Sequence, residues 1–169
     1  MESGEGEAGL AETQQALGEL AKIGSGIGVP LGLCWLAQGL RRVGRHDEAL
    51  GALALGVARA EAQGQHYYDA ELHRLRAEIL LETVDSQQSR VESEKTAEEG
   101  FQLALKISRR QEAKTFELRA ATSLARLWQG QGKRDAARAL LAPLYAWFTE
   151  GFDTRDLKHA KALLEELDS

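Results

Sequence analysis

The chain turns the same corner twice. Residues 43–50 read VGRHDEAL and residues 132–140 read GKRDAARAL, each a glycine and a charged stretch from which an apolar helix resumes at once. Around these corners a small-x3-large-x2-small pattern recurs: Ala49-Leu53-Gly56, Ala97-Phe101-Ala104, a weaker Ala137-Leu141-Leu144 and a vestigial Gly9-Thr13-Ala16. The first residues of these four copies are 40, 48 and 40 residues apart. The intervening helices match as well, with Leu33-Leu36-Ala37-Leu40 against Ala121-Leu124-Ala125-Trp128, and Leu72-Leu75-Arg76-Ile79 between them. A small residue lets neighbouring helices approach closely and a large one fills the space beside it. One helix pair cannot bury its own apolar stripe, but stacked pairs can, so the pattern demands a helical repeat.

The rest of the chain agrees. Ala, Leu, Glu, Arg and Gln dominate, all good helix formers, and only Pro30 and Pro143 interrupt. Apolar spacing predicts eight antiparallel helices with no strand. The first begins at Gly9 and stops at GSGIG (24–28); the second has Pro30 in its first turn and ends near Val43; the third ends near Gly64. The fourth is YYDAELHRLRAEILLE, followed by a polar loop over 83–93. EKTAEEGFQLALKISRR, FELRAATSLARLWQG and a helix running through LLAPLYAWF come next, the last bent at Pro143. A final helix, LKHAKALLEELD, starts behind a cap at Asp153 or Thr154. Residues 1–8, rich in Gly, Ser and Glu, read as disordered, and 9–168 as one repeat domain.

Composition narrows the function. No apolar run approaches the roughly 20 residues that span a bilayer, mean hydropathy is −0.36, and the acidic start MESGEGEAG is unlike a signal peptide. A net charge of −5 disfavours nucleic acid, which needs clustered Lys and Arg. The single cysteine, Cys34, cannot form an internal disulfide and fits a reducing cytoplasm.

Leu33, Leu36, Ala37, Leu40, Gly44, Ala49 and Leu53 in one unit, and Leu124, Ala125, Trp128, Gly132, Ala137 and Leu141 in another, resemble the tetratricopeptide repeat, a helix-turn-helix unit of about 34 residues. Longer spacing and the missing closing proline mark a divergent form. YYDAELHRLRAEILL and the stretch from Glu117 to Leu167 are similar to the C-terminal repeat region of large bacterial signalling proteins that join a nucleotide cyclase or transcription regulator to a predicted ATPase. The resemblance covers about 9–168. It implies an all-α, tetratricopeptide-like α-solenoid of three to four helix pairs, the first incomplete and the last helix capping. Those proteins carry their catalytic domains upstream, and no residues here match the cyclase or ATPase motifs. The chain therefore reads as an excised C-terminal region or a freestanding remnant.

Sites for chemistry are sparse. GSGIG has neither a preceding strand nor the Lys-Ser/Thr of a phosphate loop, and reads as a turn. His66, Asp69 and His73 share one helix face at metal-ligand spacing, yet the acids suit the helix start. His46-Asp47-Glu48 reads as another helix start and His159 as solvated. Cys34 reads as a buried, inert thiol with no basic neighbour before Arg41. Trp35, Trp128 and Trp147 are expected between helices, unless one lines a groove. No catalytic residue, metal or cofactor is assigned.

The repeat resemblance implies a concave groove lined by the first helix of each unit. Its walls would be Leu31, Cys34, Gln38 and Arg41 at one end and Arg119, Thr122, Arg126 and Gln129 at the other. Between them stand either His73, Ala77 and Leu80 or Glu71, Arg74, Glu78 and Leu81. Arg41, Arg119 and Arg126 on one wall would suit an acidic peptide or a C-terminal carboxylate, because guanidinium pairs carboxylate in a bidentate fork. Arg41-Arg42 and Arg109-Arg110 also suit helix C-termini. A non-enzymatic interaction module is the first expectation. The second is pairing of two copies through a bare stripe of Leu10, Leu17 and Leu20 on the helix that lost its partner. The third is a sensor holding a small molecule between helices.

Overall fold

The computed structural model describes residues 2–22, 28–84 and 86–169. It contains eight α-helices and one turn of 3-10 helix, and no strand among the described residues. They are α1 (Glu2–Lys22), α2 (Val29–Arg42), α3 (His46–Gln63), the 3-10 turn His66–Tyr68, α4 (Asp69–Glu82), α5 (Gln87–Arg110), α6 (Lys114–Gly130), α7 (Arg134–Trp147) and α8 (Arg155–Asp168). Each helix packs on the next in sequence. In addition α2 touches α4, α4 touches α6 and α6 touches α8, so the even-numbered helices form a row of their own.

The corner seen twice in the sequence is built four times. At Gly44 and Gly132 φ is +77, Arg45 N–H donates to Leu40 O at 2.9 Å and Lys133 N–H to Trp128 O at 2.8 Å. The same closure joins α3 to α4 at Gly64 (φ +63; Gln65 N–H to Ala60 O, 2.9 Å) and α5 to α6 at Glu112 (φ +54; Ala113 N–H to Ser108 O, 2.9 Å). A left-handed residue lets the chain satisfy the last helical carbonyls while reversing direction. Glycine adopts that conformation freely; Glu112 does not.

The repeated small and large positions are the core. Ala49, Leu53, Ala97, Phe101, Ala104, Ala137 and Leu141 are all 1% exposed or less. Gly56 is where α3 meets α4: a Cβ there would lie 2.6 Å from Leu72 Cδ2. The buried residues form two clusters that meet in α4, which gives Leu72, Leu75 and Ile79 to the first and Ala77 to the second.

Two boundaries differ from expectation. The segment 1–8 read as disordered is helical from Glu2, and α1 is held by Leu10 and by an ion pair from Glu7 to Arg45 at 3.6 Å. Its acidic residues also suit the positive end of a helix. The polar stretch 83–93 is mostly helix: α5 starts at Gln87, behind Ser86, whose hydroxyl accepts from Ser89 N–H. That N-cap lets Gln, Arg and Glu propagate the helix despite the lack of apolar residues. Pro143 lies inside α7 without ending it, and Pro30 opens α2 as expected. Of the GSGIG turn, only Gly28 lies within the described residues, with φ +90. No described helix is long and apolar enough to cross a membrane.

Candidate functional site

The row of even helices faces a groove of about 860 Å³. It is lined by Trp35, Gln38 and Arg41 from α2, by Glu71, Arg74, Glu78 and Glu82 from α4, by Arg119, Thr122, Ser123 and Arg126 from α6, and by Arg155, Asp156 and His159 from α8. Of the eight residues expected at the two ends of the wall, Gln38, Arg41, Arg119, Thr122 and Arg126 meet here, and Leu31 does not line it. Gln129 does not line it; its amide donates to Glu166 at 3.1 Å. The middle register resolves to Glu71, Arg74, Glu78 and Leu81. Ala77 is turned away into the core, and Cys34, expected on the wall, is 1% exposed.

The floor is a ladder of alternating charge that runs across four helices. Arg41 Nε donates to Glu82 at 2.9 Å and its Nη1 to Glu78. Arg74 bonds Glu71 through two nitrogens, each at 2.8 Å, and Glu78 through a third. Arg119 donates to Asp156 at 2.7 Å and reaches Glu71 at 3.4 Å. Ser123 Oγ donates to Glu78 at 2.7 Å. The centre is dry: the side chains of Glu71 and Arg74 are 5% and 11% exposed. Burial disfavours the Arg74 charge, but Glu71 and Glu78 outweigh it and hold the guanidinium charged. Glu82 and Glu78 do the same for Arg41 against its partial burial.

This pairing corrects the expected binding wall. Arg41 and Arg119 are in the groove, but their charges are already matched by carboxylates of neighbouring helices. The unmatched charge is elsewhere. Arg126, Arg155, which sequence reasoning passed over, and His159, read as solvated, are exposed along the α6–α8 side with no hydrogen bond or ion pair to described residues. All four carboxylates lining the groove are paired. Trp35 also departs from expectation: it is 59% exposed on the groove wall, because the core side of α2 is taken by Leu33, Ala37 and Leu40. Trp147 is 57% exposed, whereas Trp128 packs on the core and donates to Glu98 at 2.9 Å.

The remaining candidates resolve as follows. His66 Nδ1 bonds Asp69 Oδ2 at 2.8 Å in the 3-10 turn, and burial lowers the pKa of His73. No group of three or more His, Cys, Asp or Glu that could hold a metal converges among the described residues. Burial and the nearby Glu71 charge push the Cys34 thiol up to about 12, too high for a thiolate nucleophile near neutral pH. Arg109 is spent on the buried Glu117, at 2.8 Å. The stripe expected to pair two copies is covered by α2. Leu10 is 4% exposed, with its Cδ2 2.7 Å from where a Gly39 Cβ would stand, and Leu17 packs in the same way over Gly32. The side chain of Leu20 lies outside the described residues.

No family model, curated protein or solved structure matches the chain.

Proposed function

We propose that the chain is a tetratricopeptide-like solenoid that works as an interaction module, taking an acidic segment of a partner protein into the groove of α2, α4, α6 and α8. What carries this reading is the charge balance of the groove: every lining carboxylate is paired, while Arg126 and Arg155 take no partner among the described residues. Free guanidinium groups on an open wall bind carboxylates as charge-assisted forks. The ladder beneath them fixes the spacing of the helices, so the wall is preorganised and little order is lost on binding. Trp35, bare on the α2 side, offers an apolar anchor of the kind that dominates interface energetics. Supporting the solenoid reading are the recurring corner and the buried small and large residues of the copies that begin at Ala49, Ala97 and Ala137. A module of this kind has no need of a nucleophile or cofactor and suits a regulatory protein.

The test uses a fluorescently labelled Glu-rich peptide with one Leu, and its Lys-rich counterpart, titrated with the protein by anisotropy. The acidic peptide binds and its affinity falls with salt. Arg126→Glu with Arg155→Glu abolishes that binding while the circular dichroism is unchanged. Equal binding by the double variant refutes the assignment of the groove.

A further inference from the structure

The short connections divide the helix ends between two edges of the molecule. The C-termini of α3, α5 and α7 and the N-termini of α4, α6 and α8 share one edge, reached through 64–68, 111–113 and 148–154. Of three Trp, three Tyr and four Phe, all but Trp35, Phe101 and Trp128 lie on this edge. Several are bare: Tyr67 is 63% exposed, Trp147 57% and Phe152 46%. Tyr67 and Trp147 are linked through the first turn of α6, and Phe152 rests on Tyr145 at 5.8 Å. Tyr67 and Tyr68 meet Phe116 edge-on at 5.8 and 6.0 Å, and Lys114 lies over Trp147 at 5.7 Å. Helix connections are ordinarily polar, and rings this exposed contribute little to the core. Clustered aromatics of this kind mark interfaces.

We infer that this aromatic edge is a second docking surface, and that its occupant is a cationic amphipathic segment, one that carries Lys or Arg beside aliphatic side chains. Charge complementarity selects it. The three connections hold three carboxylates, Glu112, Glu150 and Asp153, and no Lys or Arg. All three carboxylates are exposed and take no ion pair among the described residues. Of the cations at the helix ends, Lys114 and Arg109 are spent on Glu117 and Arg155 belongs to the groove, while Arg110 and Lys158 take no ion pair among the described residues. The rings already collect cations, Lys114 over Trp147 and Arg119 over Phe116 at 5.9 Å, because an aromatic face is electron-rich. A segment with Lys or Arg between apolar residues meets both features at once: apolar side chains on Trp147 and Phe152, ammonium or guanidinium groups on Glu150 and Asp153. A second copy fits less well. Three bare rings on a narrow edge fall short of the roughly 800 Å² per partner that a stable interface buries, and edge against edge would set like charges together.

The probe is a labelled amphipathic Leu/Lys peptide, with its Leu/Glu counterpart as competitor, followed by anisotropy on the full chain. The Leu/Lys peptide binds and the Leu/Glu peptide does not displace it. Trp147→Ala with Phe152→Ala weakens binding about tenfold or more, as expected of anchor residues. Glu150→Lys with Asp153→Lys weakens it as well and flattens its salt dependence. Neither pair lies in the core, and unchanged circular dichroism confirms the fold. The groove variant Arg126→Glu, which leaves the edge untouched, binds the Leu/Lys peptide as before, and this separates the surface from the groove. Wild-type binding by both edge variants overturns the proposal. So does loss of binding in the groove variant, or a wild-type dimer by light scattering that the Trp147/Phe152 variant turns into a monomer, since the occupant is then a second copy.

Discussion

Arg74→Ala should be the most damaging single change in the groove. Arg74 sits at the middle of the ladder, 11% exposed, with two hydrogen bonds to Glu71 and a third to Glu78. Removing one partner of a buried ion pair costs about 3–5 kcal/mol, because the other charge is left without its counter-charge in a dry site. The low end applies here. Glu71 keeps a 3.4 Å contact with Arg119, and Glu78 keeps Arg41 and Ser123. We expect a loss of about 3 kcal/mol. In urea, with a slope of about 2 kcal/mol per molar, the unfolding midpoint falls by about 1.5 M at unchanged slope. The cause is tested by replacing the pair together, Glu71→Leu with Arg74→Met. Without a stranded charge the double variant should lie within about 1 kcal/mol of the parent. If Arg74→Ala costs less than about 0.5 kcal/mol, the ladder behaves as a set of exposed surface pairs, and the argument that it holds the groove walls in place fails.

Two further predictions concern the corner between α5 and α6. Glu112 is the one non-glycine residue with positive φ among those described, so Glu112→Gly should raise stability by about 0.5–1 kcal/mol in the same urea assay, offset in part by the freedom glycine adds to the unfolded chain; a loss would show that the corner is not strained. Burial pushes the carboxyl of Glu117 up, but hydrogen bonds from Lys114 and Arg109 outweigh it and hold the group below the usual carboxylate range. Its contribution to stability is then complete above about pH 4.3, where the unfolded Glu has lost its proton, and is lost as pH falls through the lower native value. Glu117→Gln should therefore flatten the decline of Tm on the acid side, and curves that stay parallel to wild type refute the assignment.

Much of the fold could be read from the chain because its determinants are local. A helix declares itself in a 3.6-residue spacing, and a corner in a glycine beside a change of period. The place of Ala49, Leu53, Phe101 and Leu141 in the core follows from the repeated small and large positions. Local reasoning failed where a weak feature was outvoted. Ser86 starts α5 early through one cap, and α1 extends to Glu2. The break between ISRR and FELR could be read, but the left-handed turn at Glu112 could not, because no glycine marks it.

The site divides along the same line. Gln38, Arg41, Arg119, Thr122 and Arg126 could be placed on one wall through the repeat resemblance, which assigns the groove to the first helix of each unit. Which arginines are free could not. Arg41 finds Glu78 and Glu82, and Arg119 finds Asp156, across sequence separations of 37 and 41 residues. Those pairs exist only because α2, α4, α6 and α8 stand side by side at one register. Sequence determines which faces are apolar; only the stacking of the helices decides which charges cancel. It leaves Arg126, Arg155 and Trp35 exposed, brings Tyr67, Phe116 and Trp147 to a common edge, and packs Leu10 and Leu17 against glycines of α2, because a charge or a ring is satisfied by whatever the third dimension sets beside it.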